Sequence, residues 1–416
     1  MHPDPQPDEE FEADLVLAFG RAADDVGVTS DPLVTGGLAR GRTRRRRRRI
    51  AAVGGGCLAL AVLAGGALAA NSLSTPLPVA TTHALADADA ASPPPPHLDK
   101  GVNILLIGLD GVRAPDGSAL PAPFIRDQLH AAPAADPNAQ VSDTLVMLHL
   151  PAGDGPVTGM SLPRDAMVPT QGLDGGEHKL GTVYSLAQQA AVEQGMKAGR
   201  TPAQLRAKGQ EAGRAAVITT VQHLLGVPVD HLVEIDMAAF YDIAQAVGPI
   251  DVCLNQATQD RYSGADFHAG RNTLDAAQAL AFVRQRHGVG DGSDLSRLRR
   301  QQAFLSAVLH TLKQQGVLTQ LDKADHLFAA VGGLITVDAG WNPLDLARQV
   351  PALLDARTVF TTMPVGGEVM AQDGGATVDG LRVDPAAVQQ AAKGALSDPA
   401  PAAPAPRSAD GVPCVD

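Results

Sequence analysis

The hydrophobic pattern between residues 100 and 395 alternates between short apolar runs and amphipathic segments. The run Val102–Leu109 is almost continuously apolar, which is typical of a strand buried on both faces. Thr144–Leu150, Val157–Leu162 and Thr358–Pro364 predict further strands. These runs indicate a buried sheet at the centre of the domain.

Helices are predicted where apolar residues recur every three or four positions. Ala215–Leu225 shows such a stripe, with Val217 and Val221 on one face. The other predicted helices are Met237–Val247, Leu274–Val283, Asp294–Leu312, Leu321–Val331 and Leu344–Leu354. Because strands alternate with helices, we expect an α/β fold, a three-layer α/β/α sandwich around a central, mostly mixed sheet.

One apolar segment lies before this domain. Ile50–Ala70 carries no charged residue, and its length matches the ~30 Å hydrocarbon core of a bilayer at ~1.5 Å per residue. It follows Arg44–Arg49, so the positive-inside rule predicts one transmembrane helix with a cytoplasmic N-terminus. The alternative is a cleaved secretory signal that ends near Ala67–Ala69.

The flanking segments predict little regular structure. Residues 1–49 are expected to be a disordered cytoplasmic tail, and residues 71–99 an extracytoplasmic linker rich in proline and alanine. Residues 396–416 are expected to form a second Pro/Ala-rich tail. This leaves residues 100–395 as one folded domain.

Composition narrows the classes of function. The 416 residues carry a formal net charge of −12, which argues against nucleic-acid binding. Three cysteines are too few for a disulfide scaffold or a Cys-ligated zinc site. Cys253 and Cys414 both fall on the extracytoplasmic side, and the sequence is compatible with a disulfide between them and with two free thiols.

Two aspartates lie next to the ends of predicted strands, where open α/β sheets commonly bind ligands. Asp110 follows the first buried strand and Asp143 precedes the next one. Together they could bind Mg²⁺, which takes few protein ligands and completes its shell with water and phosphate oxygens. Spacing alone favours the simpler interpretation, in which each aspartate closes a turn or caps a backbone N–H.

Arginines mark a second candidate site. Pro163 stiffens the chain and presents Arg164 in one direction, although an ordinary surface pair with Asp165 is the alternative. Arg284 and Arg286 point the same way only if the chain has left the helix between them. The glycines that follow support a loop at this point.

The next helix continues the charged cluster. Asp294, Arg297 and Gln301 lie at i, i+3 and i+7 and therefore share one helical face. A pyrophosphate suits bidentate guanidinium groups, so the cluster indicates a polyanion site. Asp294 could instead favour the helix N-terminus, and Arg299 and Arg300 are expected to form a solvated face.

Taken together, these residues resemble the LytR-CpsA-Psr family. The resemblance covers roughly residues 100–315 in order. The matching segments are NILLIGLDGVR (103–113), SDTLVML (142–148), VTGMSLPRD (157–165), HKLGTVYSLA (178–187), VDHLVEIDMAAFYDIAQAVGPIDVCL (229–254), AGRNTLDAAQALAFVRQRH (269–287) and DLSRLRRQQAFL (294–305).

The resemblance implies a role for each site residue. The Mg²⁺ ligands would be Asp110 and Asp143. The catalytic residues would be Asp294, Arg286 and Arg297. The pyrophosphate would contact Arg164, Lys179, Arg284, Arg286, Arg297 and Gln301. The polyprenyl chain would contact Val217, Val221 and Phe304.

The resemblance also implies a reaction. A Mg²⁺-dependent phosphotransferase, held at the outer face of a bacterial cell membrane, would move a glycopolymer from polyprenyl pyrophosphate onto peptidoglycan or a related acceptor. The alternatives are a polyprenyl-diphosphate pyrophosphatase and a non-catalytic lipid-binding or attenuator-type regulator. Two positions depart from the family pattern, since Val141 stands where an arginine is usual and Gly181 where asparagine is common.

Overall fold

The computed structural model describes most of the expected domain and part of its flanks. The described residues are 80–111, 120–130, 140–153, 156–170, 173, 175–315, 334–341, 358–373, 376–397, 408–409 and 412–416. The expected cytoplasmic tail and transmembrane segment, residues 1–70, lie outside these ranges, as do the helices expected over 321–331 and 344–354. Within the described ranges, no helix combines the length and the apolar character that crossing a membrane requires.

The strands and helices are numbered in chain order. The strands are β1 (Ala80–Thr82), β2 (Val102–Leu109), β3 (Ser142–Leu150), β4 (Val157–Ser161), β5 (Met167–Pro169), β6 (Glu177–Lys179), β7 (His231–Asp236), β8 (Ile250–Leu254), β9 (Thr258–Asp260), β10 (Ala265–Phe267), β11 (Gly270–Leu274), β12 (Thr336–Asp338), β13 (Thr358–Thr362), β14 (Glu368–Asp373), β15 (Ala376–Leu381), β16 (Ser408–Ala409) and β17 (Val412–Val415). The helices are α1 (Ala84–Ala91), α2 (Ala122–Asp127), α3 (Val183–Lys197), α4 (Pro202–Leu225), α5 (Met237–Val247), α6 (Ala276–Arg284), α7 (Asp294–Gln314) and α8 (Pro385–Ala395), with a 3-10 turn over Leu180–Thr182.

The central sheet is mixed, as the sequence predicted. Its strand order is β1-β12-β7-β2-β3-β4-β13. β2 runs parallel to β7 and antiparallel to β3, and β4 runs parallel to β13. Because β3 runs opposite to its neighbour β2, the start of β3 lies at the same edge of the sheet as the ends of β2 and β7.

Helices cover both faces of this sheet. Along β2, Ile104 and Leu106 belong to one hydrophobic cluster, whereas Leu105 and Ile107 belong to another. The first cluster includes residues of α5, α6 and α7, and the second includes residues of α1, α3, α4 and α8. The continuous apolar run of β2 therefore reflects burial on both faces, and the architecture has three layers.

The long helix α4 begins well before the predicted segment 215–225. Thr201 and Gln204 form a capping box at its start, and Gly226, with a φ of 67°, ends it. The first half of α4 carries many polar residues, so the apolar stripe revealed only the buried second half.

The linker prediction for residues 71–99 is wrong for residues 80–91. β1 pairs in parallel with β12, and Ala84 and Ala88 in α1 are buried in the second cluster. Alanine is common in extended linkers but also has the highest helix propensity, so composition alone did not separate the two. The folded domain therefore begins before residue 100.

The tail prediction for residues 396–416 is wrong for its last residues. β17 pairs in parallel with β8, and a disulfide joins Cys253 of β8 to Cys414 of β17. Of the two cysteine states that the sequence left open, the structure has the disulfide. The disulfide links the neighbouring strands β8 and β17 within a second sheet of order β11-β8-β17-β16.

Candidate functional site

A cavity of about 370 Å³ opens at the edge of the sheet where β2 and β7 end and β3 begins. One part of its lining is apolar and comes mainly from the first hydrophobic cluster. These residues include Leu106, Val146, Val233, Ile235, Met237, Phe240, Ile243, Ala244, Leu280, Val283, Phe304 and Leu305. The remaining lining is polar and includes Asp110, Asp143, Arg164, Asp236, Asp260, Tyr262, Arg284, Arg286, His287, Arg297 and Gln301. The cavity therefore suits an amphiphile with an anionic group.

The two predicted metal-binding carboxylates both line this cavity. Asp110 accepts a hydrogen bond of 2.8 Å from the Val141 N–H through Oδ1. Burial raises the pKa of Asp110 to about 6, and the negative charge of Asp143 adds to that increase. Burial alone would also raise the pKa of Asp143, but Arg164, Arg297 and Arg286 outweigh it and hold that pKa below its usual range.

The electrostatics of this pair fit a divalent cation. Each negative charge opposes the other, and a bound cation would relieve that repulsion. In the described part of the chain, no group of three or more His, Cys, Asp or Glu side chains is arranged to hold a metal ion. Two carboxylates nevertheless suffice for Mg²⁺, which commonly takes its other ligands from water and phosphate oxygens.

Arg164 and Arg297 surround Asp143. Arg164 donates to the Asp143 carboxylate through Nη1, and Arg297 donates to the Asp143 carbonyl oxygen through Nη2 at 3.2 Å. Arg297 is only 2% exposed, and it lies one turn before Gln301 on α7. Asp294 is the first residue of this helix, but its side chain lies outside the described part of the structure.

The structure places the side chains of Arg284 and Arg286 in the same cavity, and the chain leaves the helix between them as the sequence predicted. Helix α6 ends at Arg284, and Gln285 takes an extended conformation with ψ of 135°. Arg284 donates to the Leu129 carbonyl oxygen through Nη1, and the Arg286 N–H donates to Asp260 Oδ2 at 3.0 Å. Both side chains line the cavity because the chain has left the helix between them.

Three of the expected contact residues lie elsewhere. Val217 and Val221 are fully buried in the second cluster, on the opposite face of the sheet, so their assignment to a lipid-lining surface is wrong. Lys179 is not among the cavity residues; its Nζ donates to Asp165 Oδ1 at 3.0 Å. Of the three lipid candidates, Phe304 lines the cavity.

Arg300 was expected to lie on a solvated face, but the structure buries it. Its side chain is 0% exposed, whereas Arg299 is exposed. Arg300 donates through Nη1 to the Asp416 carbonyl oxygen at 2.9 Å and through Nη2 to the Gln285 carbonyl oxygen. Burial, together with the nearby charge of Arg297, lowers the pKa of Arg300 to about 10. This arginine connects the docked end of the chain to the turn between Arg284 and Arg286.

The two departures from the family pattern have different structural meanings. The Val141 backbone N–H donates to Asp110. The valine side chain carries neither a charge nor a hydrogen-bond donor, so it cannot make the polar contacts that an arginine could make at this position. A Cβ at Gly181 would lie 3.0 Å from Arg164 Cβ and 3.1 Å from the Ser142 carbonyl oxygen. The close approach of residue 181 to Arg164 therefore requires a shift for any larger residue.

Several residues of the site were missed from the sequence. Phe240, Ile243 and Ala244 lie on one face of α5 and line the apolar part of the cavity. Their helical spacing was visible, but nothing in it distinguished a cavity wall from a packed core. Asp260 is the last residue of the short strand β9 and Tyr262 lies in the turn before β10, and neither belongs to a motif or an apolar period that marked it in the sequence.

Asp236 is a further, half-buried carboxylate in the cavity wall, and it caps α5 by accepting the Ala239 N–H at 2.8 Å. Burial raises its pKa from 3.8 to about 7. The folded state therefore favours the neutral acid, so the stability contribution is complete below pH 3.8 and is lost as the pH rises through about 7.

We accordingly expect Asp236→Asn to stabilise the protein only at higher pH. Asparagine caps helices as well as aspartate does and cannot ionise. Chemical denaturation in EDTA should give equal unfolding free energies below pH 4 and a gain of up to about 4 kcal/mol for the variant above pH 8, since one pKa unit corresponds to about 1.4 kcal/mol. A gain of the same size at both pH values would contradict this origin.

The family comparison gives one clear match. The model of the LytR_cpsA_psr family matches residues 77–392, which is more than half of the chain. The matched region includes every cavity residue named above as well as β1 and α1.

Two curated relatives are named for cell wall biosynthesis and for teichoic acid transfer. The cell wall biosynthesis protein LcpA of Corynebacterium glutamicum is 33% identical over 268 residues, which cover 64% of this chain and 50% of the relative. The polyisoprenyl-teichoic acid–peptidoglycan teichoic acid transferase TagU of Enterococcus faecalis is 27% identical over 220 residues, or 53% of this chain and 60% of the relative. The chain thus spans about half the length of the curated relatives it matches.

Solved structures share the fold. A Streptococcus agalactiae protein superposes with a TM-score of 0.52 at 19% identity, over 76% of this chain and 91% of its own. TagV of Bacillus subtilis gives a TM-score of 0.50 at 19% identity, over 73% of this chain and 99% of its own. At this identity the likeness shows a common fold.

Proposed function

The chain belongs to the LytR-CpsA-Psr family, and we propose that it transfers a glycopolymer from polyprenyl pyrophosphate to peptidoglycan or a related cell-envelope acceptor. One observation carries this proposal. A single cavity joins an apolar wall to the four arginines Arg164, Arg284, Arg286 and Arg297. A polyprenyl pyrophosphate has the same two parts, a hydrocarbon chain and a diphosphate.

The arginines would act on the diphosphate. A hydroxyl oxygen of the acceptor forms a bond to the phosphorus nearer the glycan, while the bond from that phosphorus to the bridging oxygen breaks. Polyprenyl phosphate leaves with the electron pair, and the hydroxyl proton passes to solvent. Negative charge grows on the departing phosphate, and fixed guanidinium groups in a partly buried site stabilise it without reorganising.

Asp110 and Asp143 would hold Mg²⁺ at the same edge of the cavity. When bound, the ion would add positive charge next to the diphosphate and would orient its oxygens. Asp143 has a second role that the structure supports directly, because it pairs with Arg164 and so fixes the direction of that guanidinium.

We further propose that the domain works on the outer side of a bacterial membrane, anchored by residues 50–70. The disulfide between Cys253 and Cys414 supports this location, because disulfides persist mainly in oxidising compartments.

The direct test uses the full-length protein in nanodiscs with Mg²⁺, a polyprenyl-pyrophosphate glycan and peptidoglycan fragments. We expect a phosphodiester-linked product that is lost with EDTA and with Arg286→Ala. Release of polyprenyl phosphate without attachment to the acceptor would favour a pyrophosphatase. Tight lipid binding with no turnover would favour a non-catalytic binding protein.

The apolar wall gives a separate prediction about the lipid chain. Phe240 lines the cavity and is half-buried, so replacing it should leave the domain folded. Phe240→Asp should raise the Kd for polyprenyl pyrophosphate roughly 100-fold, because it removes an aromatic contact and places a charge against hydrocarbon. Phe240→Leu keeps the wall apolar and serves as the control. Isothermal titration of both variants with the lipid would detect the difference, and equal affinities would exclude this wall as the lipid site.

A further inference from the structure

Tyr262 is an exposed aromatic residue at the polar part of the cavity. In the described ranges, the large apolar side chains that are clearly exposed are Leu98, Met196, Tyr262 and Met370. Tyr262 is 59% exposed, and among these four it is the one that lines the cavity. An exposed ring that borders a ligand cavity differs from a scattered surface residue, because it offers a flat apolar face next to bound polar groups.

Two polar side chains accompany this ring. His287, also in the cavity wall and 62% exposed, lies with its ring centre 4.8 Å from that of Tyr262. The Arg261 guanidinium lies 4.9 Å from the centre of the tyrosine ring and donates to the tyrosine hydroxyl through Nη2 at 2.9 Å. The group therefore presents aromatic surface and hydrogen-bond donors together.

One buried carboxylate fixes this group against the arginine turn. Asp260 is 3% exposed and accepts the N–H groups of Tyr262, Arg286 and His287 at 2.9, 3.0 and 3.2 Å. These bonds lower the pKa of Asp260 to about 2 against the opposing effect of burial, so the carboxylate is charged at neutral pH. Tyr262 consequently has a defined position relative to Arg286.

A second contact joins the same two segments. The Thr258 hydroxyl donates to the Gly288 carbonyl oxygen at 2.8 Å. A Cβ at Gly288, whose φ is 67°, would lie 2.5 Å from the Gln259 carbonyl oxygen, so only glycine allows this approach. The segment that carries Tyr262 and the turn that carries Arg286 are therefore held together by specific hydrogen bonds and close packing.

We propose that Tyr262, His287 and Arg261 form a saccharide-binding platform at the rim of the cavity. The C–H face of a pyranose ring would pack on the tyrosine ring, and its hydroxyls would accept from the guanidinium and exchange hydrogen bonds with the imidazole. This inference rests on the transferase function proposed above. In that reaction two sugars meet the diphosphate, namely the first sugar of the donor and the acceptor sugar.

A sugar without lipid tests the platform independently of the reaction. Isothermal titration of the full-length protein would use a tetrasaccharide of β-1,4-linked N-acetylglucosamine. We expect Tyr262→Ala to raise the Kd roughly five- to tenfold, the range of a lost aromatic packing contact. Tyr262→Trp restores the aromatic face, and Met370→Ala removes a side chain that is 67% exposed away from the cavity lining. Both should bind like the wild type.

Comparing the binding of donor lipids with and without one N-acetylglucosamine shows whether the platform holds the donor sugar or the acceptor sugar. If the platform holds the donor sugar, Tyr262→Ala weakens binding of the glycosylated lipid and leaves the bare lipid unchanged. If it holds the acceptor, both lipids bind as in the wild type and the acceptor KM rises with kcat unchanged.

The two proposals fail in different ways. A Tyr262→Ala variant that equals the wild type with the tetrasaccharide, with both lipids and in acceptor KM would overturn the platform. A wild-type protein that binds neither lipid contradicts the proposed transferase, and the tetrasaccharide titration then decides the platform alone. In that case, absence of tetrasaccharide binding by the wild type overturns the platform as well.

Discussion

Replacing Arg297 with alanine is expected to reduce glycopolymer transfer by roughly 10²–10³-fold, the usual cost of removing one preorganised donor from a site of developing negative charge. The arginine is 2% exposed, lines the cavity and donates to the Asp143 carbonyl oxygen at 3.2 Å. Its guanidinium is therefore held in place before the substrate binds. Water that fills the space left by the side chain would have to reorient during the reaction.

Arg297→Lys separates charge from geometry. Lysine keeps the positive charge but lacks the planar pair of donors that matches a diphosphate, so its activity should lie between that of the wild type and that of the alanine variant. Arg299→Ala is the matched control, because Arg299 lies on the same helix and is exposed.

Initial rates of product formation, with thermal melting as a check on folding, measure all three variants. If Arg297→Ala and Arg299→Ala showed similar activities, Arg297 would have no special part in the reaction. A melting temperature that falls only for Arg297→Ala would instead indicate a structural contribution, which the lysine variant should partly restore.

Removing the charge of Glu234 is expected to lower the free energy of unfolding more than any other substitution named above. Glu234 in β7 receives two hydrogen bonds from Arg214 in α4, at 2.7 and 2.9 Å, and the two side chains are 7% and 8% exposed. Breaking such a pair typically costs about 3–5 kcal/mol, because a buried arginine loses its closest counter-charge, and Glu211, 3.5 Å from Arg214 and more exposed, compensates only in part. Glu234→Gln should lower the unfolding free energy by that amount.

The double variant Arg214→Met/Glu234→Leu tests the reason for this loss. Replacing both partners with apolar residues removes the ion pair and its desolvation cost together, so its stability should be within about 1 kcal/mol of the wild type or above it. Arg126→Gln, which removes one partner of the exposed pair with Asp127, should cause no measurable change.

Urea denaturation of the single and double variants decides between the two possibilities. A double variant as unstable as Glu234→Gln would mean that the pair itself contributes net stability. The cluster also includes Glu211, which lies 3.5 Å from Arg214 and accepts the Thr82 hydroxyl at 2.6 Å. Because Thr82 belongs to β1, the early segment expected to be a linker is attached to this buried network.

Much of the central architecture could be predicted from the sequence. The limits of β2 and α5 agree with the predicted limits, because a continuous apolar run and a complete amphipathic helix are properties of contiguous residues. The positions of Arg284 and Arg286 were also accessible, since the nearby glycines indicated that the chain leaves the helix there. The family pattern then directed attention to Asp110 and Asp143, and the structure places both in one cavity.

Other features depended on contacts between distant segments. Val221 and Phe304 both lie on apolar helical faces, yet the first packs in a core and the second lines the cavity. Arg299 and Arg300 are adjacent, but about 100° of helical rotation separates them, and only one meets the Gln285 carbonyl and the docked end of the chain.

The sequence by itself determined the limits of the central strand β2 and of helix α5, and it identified most of the arginines and carboxylates that line the cavity. Only the tertiary structure decided which apolar face borders the cavity, which arginine is buried, and that Asp260 holds Tyr262 beside Arg286. The physical reason is that hydrophobic periodicity reports how a segment is oriented toward an interior. Whether that interior is filled by other side chains or left open for a ligand depends on elements that are far apart in the chain.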